Sequence, residues 1–277
     1  MWAIRISHER SMHDDKGGNC FVTLTYDDEH LPAYGSLVKD DFQNFMKKVR
    51  VDLVPKVPFW LDSVEREQFM HEYGIRYFMC GEYGEADDGL LGRPHYHACI
   101  FNCDFGEWRL WSVSDCGEPI YTSAMLSRYW DKGFAVLSNL TYESAGYVAR
   151  YCLKKVTGMK ADDHYSRCDA YTGEWNPVEH EYNDMSRRPG IGATWFKKFH
   201  GDVFPRDEVP VVGAGVFKGA PRYYDELLRR MDDETLEHVK EVRQEFRRAF
   251  ADEYTPERLM AKYNVKKAQL EFLKRSL

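Results

Sequence analysis

The residues best placed to do chemistry fall in two short runs. The first is Arg93-Pro94-His95-Tyr96-His97-Ala98-Cys99-Ile100-Phe101. On a strand, alternate side chains share a face, so His95 and His97 point one way while Tyr96, Ala98 and Ile100 pack on the other. Two neutral imidazoles on one face can share a divalent cation. An earlier run, Cys80-Gly81-Glu82-Tyr83-Gly84-Glu85, places carboxylates at the mouth of the loop leading to His95. If the two strands pair, Glu82, nearer the strand end, completes a two-His, one-carboxylate site, with Glu85 as the substitute. Such a site keeps positions open for water and a phosphate oxygen. A solvated acidic turn fits the same residues.

The second run is Gly146-Tyr147-Val148-Ala149-Arg150-Tyr151-Cys152-Leu153-Lys154-Lys155. At helical spacing Ala145, Val148, Ala149, Cys152 and Val156 form the core stripe, which puts Tyr147, Tyr151 and Lys154 on the opposite side as mutual neighbours. Two hydroxyls beside an ammonium suit tyrosine attack on phosphate, although two amphipathic tyrosines snorkelling beside a basic helix fit as well. A phenol with a pKa near 10 is a poor nucleophile and needs help. A metal on His95, His97 and Glu82 would supply it, with Lys154, and Arg150 behind it, stabilising the developing charge. The product would be a 5′-phosphotyrosine and a free 3′-hydroxyl. The competing reading is a zinc hydrolase built on His95 and His97, with no role for either tyrosine.

The elements that must hold these groups are legible in outline. Phe21 to Tyr26 alternates apolar and Thr residues and reads as a strand; Asp40 to Val54 is an amphipathic helix stopped by Pro55. Ile75 to Cys80 and His95 to Phe101 read as an antiparallel pair of strands, Thr122 to Trp130 as a short helix, and Phe134 to Leu137 as a strand. Thr141 is placed to cap a helix running to Val156 before Gly158. Residues 160–184 read as an insertion or long loop, and the chain from Pro221 onward as helical, Pro256 opening a last helix through Ser276. The expected class is α+β, an antiparallel sheet flanked by helices with a helical C-terminal extension.

Composition bounds the function. The 277 residues carry a net charge of −7, but the sign is unevenly spread. Between Phe59 and Trp108 ten acids face only Arg66, Arg76 and Arg93, whereas Tyr147 to Lys160 and Ser186 to His200 hold cations and no acid. A phosphate backbone would settle on those basic stretches, which makes Lys155, Arg187, Arg188, Lys197 and Lys198 candidate DNA contacts. Seven scattered cysteines without a Cys-x-x-Cys pair argue against a disulfide framework or thiolate zinc, and fit a reduced cytosol. The start of the chain does not read as a secretory signal, and no apolar run is long enough to span a bilayer.

Taken together, the His95-Tyr96-His97 strand and the Tyr147-x-x-x-Tyr151 helix resemble the HUH endonuclease superfamily. Within it the chain is most similar to the replication initiators of microviruses, small single-stranded DNA phages, especially the gokushovirus branch. Phe21 to Tyr26, Gly92 to Phe101, Tyr147 to Lys155 and Ser186-Arg187-Arg188-Pro189-Gly190-Ile191-Gly192 carry the likeness, which covers Trp2 to Phe199. The resemblance implies a nicking domain over residues 1–205, with a mainly helical extension over 206–277. It implies the two histidines on a central strand, the tyrosine helix packed across the sheet, and Mg²⁺ or Mn²⁺ as the cofactor. Two alternating tyrosines would nick and rejoin single-stranded origin DNA in rolling-circle replication, through a covalent 5′ adduct. Host helicase and polymerase would be partners, in the host bacterial cytoplasm, with no membrane. Arg150 stands where the pattern has lysine, which leaves the cation serving Tyr147 open, and further sequence before Met1 is expected in relatives. A non-catalytic origin-binding module, a plasmid initiator or a mobilisation relaxase would share much of this pattern.

Overall fold

In the computed structural model, residues 1–15, 17–85, 91–114, 117–151, 156–169 and 172–272 are described. The chain opens with helix α1 (Trp2–Ser11), strand β1 (Asn19–Thr25), helices α2 (Lys39–Leu53) and α3 (Ser63–Tyr73), and the long strands β2 (Arg76–Glu85) and β3 (Leu91–Phe101). There follow β4 (Arg109–Val113), β5 (Pro119–Thr122), α4 (Ala124–Tyr129), β6 (Ala135–Asn139) and α5 (Tyr142–Tyr151). Next come α6 (Ala161–His164), β7 (Ser166–Cys168), β8 (Trp175–Pro177), β9 (Tyr182–Met185) and α7 (Ala193–Val203). The hairpin β10 (Glu208–Val211) and β11 (Gly215–Lys218) precedes α8 (Arg222–Met231), α9 (Asp233–Ala249) and α10 (Pro256–Phe272).

Seven strands form one antiparallel sheet in the order β4-β5-β6-β1-β3-β2-β9, so the expected α+β class and the histidine strand's place inside the sheet both hold. Period-2 alternation splits its side chains cleanly. Cys20, Val22, Leu24, Tyr77, Met79, Tyr96, Ala98 and Ile100 face one layer, where they pack with Phe42, Phe45, Met46 and Val49 of α2 and Leu126 of α4. Phe21, Phe78, Cys80, Cys99 and Phe101 face the other, against Ile6 of α1 and Ala145, Tyr147 and Val148 of α5. Each fully buried aliphatic or Phe side chain contributes about 1.5–3 kcal/mol, so the two faces lock the register of β1, β2 and β3.

Helix α1 sits between that second layer and a third core. Its Ile4 joins Trp195, Phe196, Val209, Tyr224, Leu228, Leu236 and Val239 from α7, β10, α8 and α9. Caps set the helix starts. Thr141 and Ser144 exchange bonds reciprocally, Thr141 N to Ser144 Oγ at 2.8 Å and Ser144 N to Thr141 Oγ1 at 3.2 Å, and Ser123 Oγ accepts from Leu126 N.

Three expectations change. Residues 160–184 are not a long loop: they hold α6, the β7–β8 hairpin and the start of β9, which adds to the sheet beside β2. Strand β2 continues through Glu85 instead of stopping at Gly81, because it stays paired with β3 past a register shift between Tyr83 and Glu85. Val156 lies outside helix α5, which is described to Tyr151. No helix among the described residues is long and apolar enough to cross a membrane.

Candidate metal centre and tyrosine helix

Strand pairing alone brings the three expected ligands together. Glu82 on β2 lies directly across from His95 on β3, and His97 lies between Thr23 of β1 and Cys80 of β2. All of these side chains emerge on the α1–α5 face, because Tyr96, Ala98 and Ile100 take the other. Glu82 Oε1 stands 3.1 Å from His95 Nε2 and 2.9 Å from His97 Nε2. Glu82 and His97 are buried, while the His95 side chain is 18% exposed and forms the open rim.

The hydrogen-bond directions identify what the cluster needs. A carbonyl can only accept, so His95 Nδ1, 3.1 Å from Arg93 O, carries the proton of the neutral ring. Its Nε2 then presents a lone pair to the Glu82 carboxylate. Two acceptors face each other there, an arrangement that asks for a cation or a proton. His97 is oriented the same way, its Nδ1 held 2.9 Å from Thr23 Oγ1. Burial would raise the Glu82 carboxyl, but the bonds to His95 and then His97 outweigh it, and it lies below the ordinary carboxylate range.

The spacing fits a small divalent ion. Two ligands at right angles and about 2.1 Å from such an ion sit roughly 3.0 Å apart. Glu82, His95 and His97 each offer one ligand atom, all within 4.8 Å of one another, and they are the one such group of three among the described residues. Glu85 belongs to β2, but its side chain lies outside the described residues.

Helix α5 lays Tyr147 over this centre. The Tyr147 ring meets His97 edge-on, centroids 5.2 Å apart, and Phe21 at 6.1 Å. Helical spacing alone reverses this face. Ser144, Ala145, Tyr147 and Val148 are the buried stripe, with Tyr147 only 8% exposed, so Tyr147 faces the sheet and not away from it. The physical reason is the sheet below: His97, Phe21 and Glu82 make a half-polar floor that receives a phenol better than an alanine. The Arg150 guanidinium lies 5.7 Å from the Tyr147 ring centroid, within cation–π range. Tyr151 is the last described residue of α5, four positions on, and its side chain lies outside the described residues, as do Lys154 and Lys155.

The basic residues are spread more widely. Arg187 and Arg188 are exposed just past β9, where Ser186 N bonds Tyr77 O. Tyr77 is five residues from Glu82 along β2, roughly 16 Å at strand rise, so these arginines flank the opposite end of the sheet from the metal centre. Asp184 pairs with Arg187 at 3.1 Å. Both arginines line a groove of about 730 Å³ with Lys39, Arg50, Tyr77 and Tyr182. Lys197 and Lys198 are exposed on α7, whose buried side belongs to the third core.

Sequence reasoning missed Thr23 and α1. Thr23 was visible in the Thr alternation of β1, but its partner His97 emerged only with the register. Helix α1 carries Glu9, which accepts from Gly192 N at 2.7 Å and pairs with Arg76. Arg76 in turn donates to Pro189 O at 2.7 Å, so a buried ion pair holds the turn behind Arg187 and Arg188.

Comparison with known proteins points one way. Residues 19–156, which include the Glu82, His95, His97, Tyr147 and Tyr151 positions, match a family of replication-associated proteins, that of the ORF2 type. The chain is 33% identical over 228 residues to the replication-associated protein VP4 of Bdellovibrio phage phiMH2K, covering 82% of this chain and 62% of that protein. It is 31% identical over 253 residues to the replication-associated protein ORF2 of Spiroplasma virus 4, covering 88% and 68%. Against the replication-associated protein ORF4 of Chlamydia phage 1 the figures are 26% over 248 residues, 85% and 51%. The chain thus spans about half to two thirds of these relatives. No solved structure matches it.

Proposed function

We propose that this chain, which belongs to the ORF2-type family of replication-associated proteins, initiates rolling-circle replication by nicking single-stranded viral origin DNA with a tyrosine and later rejoining the ends. The observation that supports this most is the Tyr147 ring lying 5.2 Å from that of His97, over the Glu82–His95–His97 cluster.

Glu82, His95 and His97 hold Mg²⁺ or Mn²⁺, which supplies polarisation of the scissile phosphate and neutralises charge on its oxygens. The phenol oxygen of Tyr147 or Tyr151 forms a bond to phosphorus as the bond from phosphorus to the 3′ oxygen breaks. The phenol proton is lost, and the departing 3′ oxygen takes up a proton to become the 3′-hydroxyl that primes a polymerase. Arg150 and Lys154 favour the phenolate by their charge. Thr23 and the Arg93 carbonyl keep both imidazoles aimed at Glu82. Rejoining is the reverse: a 3′-hydroxyl attacks the phosphotyrosine and the phenol leaves.

We assign this chemistry to residues 1–205 and treat 206–277 as a mainly helical extension. Arg187, Arg188, Lys155, Lys197 and Lys198 contact the phosphate backbone, and host helicase and polymerase act with the protein in the host bacterial cytoplasm. The test is covalent trapping: a labelled single-stranded oligonucleotide library with Mn²⁺ yields an adduct carried on the 5′ end. The adduct is abolished by EDTA and by His97→Ala, and is fully lost only when Tyr147→Phe and Tyr151→Phe are combined. An adduct that survives the double tyrosine change refutes the assigned nucleophiles.

A further inference from the structure

The geometry points to Trp111 and Phe134 as a nucleobase-stacking platform beside the metal centre, an inference that rests on the reading of the chain as a protein acting on single-stranded DNA. Phe134 immediately precedes β6, and its carbonyl accepts from both the backbone N and Oγ1 of Thr25 at 2.9 Å. Leu24 pairs with Ala135, so Phe134 stands opposite Thr25; Thr25 pairs with His95, and His95 with Glu82. Phe134, Thr25, His95 and Glu82 therefore form one row across the sheet. Alternation puts the row on a single face, because Leu24, Ala135 and Tyr96 belong to the core on the other side. At about 4.8 Å per strand, Phe134 lies roughly 10 Å from His95, a reach of one or two nucleotides.

Trp111 extends this row. Its ring centroid is 5.2 Å from that of Phe134 with the planes tilted by 56°, and the two residues are 62% and 46% exposed. The strand that carries it is irregular at that point: β4 pairs with β5 with a register shift between Leu110 and Ser112, which leaves Trp111 as the extra residue. A bulge re-aims a side chain, and bulges concentrate at sheet edges and beside functional sites. An edge strand with Leu110, Trp111 and Val113 all more than half exposed is otherwise a liability for a soluble protein. Bases supply the missing cover. Every base has a π-face, so two open aromatic faces hold a strand without demanding a sequence, while the next phosphate lies at Glu82, His95 and His97.

The experiment compares wild type, Trp111→Ala/Phe134→Ala and Trp111→Phe. Binding of a fluorescein-labelled thymidine 20-mer is followed by anisotropy in EDTA over a salt series, with the Mn²⁺-induced thermal shift measured on each protein. The platform predicts about 5- to 100-fold weaker binding in the double variant and most of the affinity retained in Trp111→Phe. The salt slope and the Mn²⁺ shift stay at wild-type values, because no phosphate contact or metal ligand is touched. Unchanged affinity in a double variant with an intact Mn²⁺ shift overturns the platform and leaves the nicking reading standing. A wild-type protein that binds no single strand overturns both. A double variant that loses self-association and keeps its DNA affinity makes the patch a protein interface and overturns the platform.

Discussion

Replacing Glu82 with glutamine separates holding a cation from holding the fold. Glu82 Oε1 sits 3.1 Å and 2.9 Å from two imidazole nitrogens, and the His95 ring already spends its Nδ1 proton on Arg93 O. A carboxylate there presents an acceptor to an acceptor. The glutamine amide presents a donor of the same shape, so in EDTA the variant exchanges one set of polar contacts for another and stability shifts by no more than about 1 kcal/mol. Cation binding behaves differently. At one hundred times its dissociation constant, a bound ion adds about 2.7 kcal/mol to the wild-type protein. For a chain of this size that raises the melting temperature by about 5–10 °C. Glu82→Gln removes the one anionic ligand and should abolish the rise. The assay is thermal unfolding with EDTA and across a Mn²⁺ titration. A full Mn²⁺ shift in the variant, or a melting temperature in EDTA more than about 10 °C below wild type, refutes the reasoning.

Three further outcomes follow from other contacts. Thr23→Val removes the hydroxyl that orients His97, and Mn²⁺ affinity should fall about 10- to 100-fold with the fold intact, read by the same titration. His8 is buried between α1 and the third core, its Nε2 donating to Pro210 O and its Nδ1 accepting from Tyr224. Burial lowers its pKa from 6.5 to about 4, against a smaller opposing effect of the Pro210 bond. The folded state therefore resists a proton that the unfolded chain accepts. Stability is complete above pH 6.5 and declines by up to about 3 kcal/mol as pH falls to 4, a decline that urea midpoints measured across this range should show and that His8→Asn should flatten. Arg243→Ala leaves Asp207 and Asp225, which its guanidinium reaches at 2.7–3.0 Å, facing each other across α8 and α9; the cost should be about 2–3 kcal/mol by urea unfolding.

The metal centre was legible in the sequence because two periods coincide. His-x-His on a period-2 strand fixes one face, and a short hairpin fixes which residue of the preceding strand lies opposite. The family likeness drawn from the same motifs is the one that the phage relatives bear out. The orientation of Tyr147 was not legible. A phenol is neither a core nor a surface residue by type, and helical spacing counts Ala149, Cys152 and Val156 into the stripe. The floor that decides the matter comes from β1, β2 and β3. Helix α1 leaves no mark in the sequence because both its sides are covered: Ile4 and Ile6 enter different cores and the polar His8 and Glu9 are buried too, so no polar face sets it off. Strand β9 is four residues with Asn183 and Asp184 at its centre, an edge that pairs through its backbone and carries no apolar alternation. The bulge at Trp111 breaks alternation in β4 for the same kind of reason.

The central claim is that Glu82, His95 and His97 close on one divalent cation beneath Tyr147. Anomalous diffraction from crystals grown with Mn²⁺ tests it most directly. The account predicts one strong manganese peak about 2.0–2.3 Å from Glu82 Oε1, His95 Nε2 and His97 Nε2, with the Tyr147 ring still against His97. Manganese at other sites with none at this one, or a Tyr147 ring turned out to solvent, would contradict it.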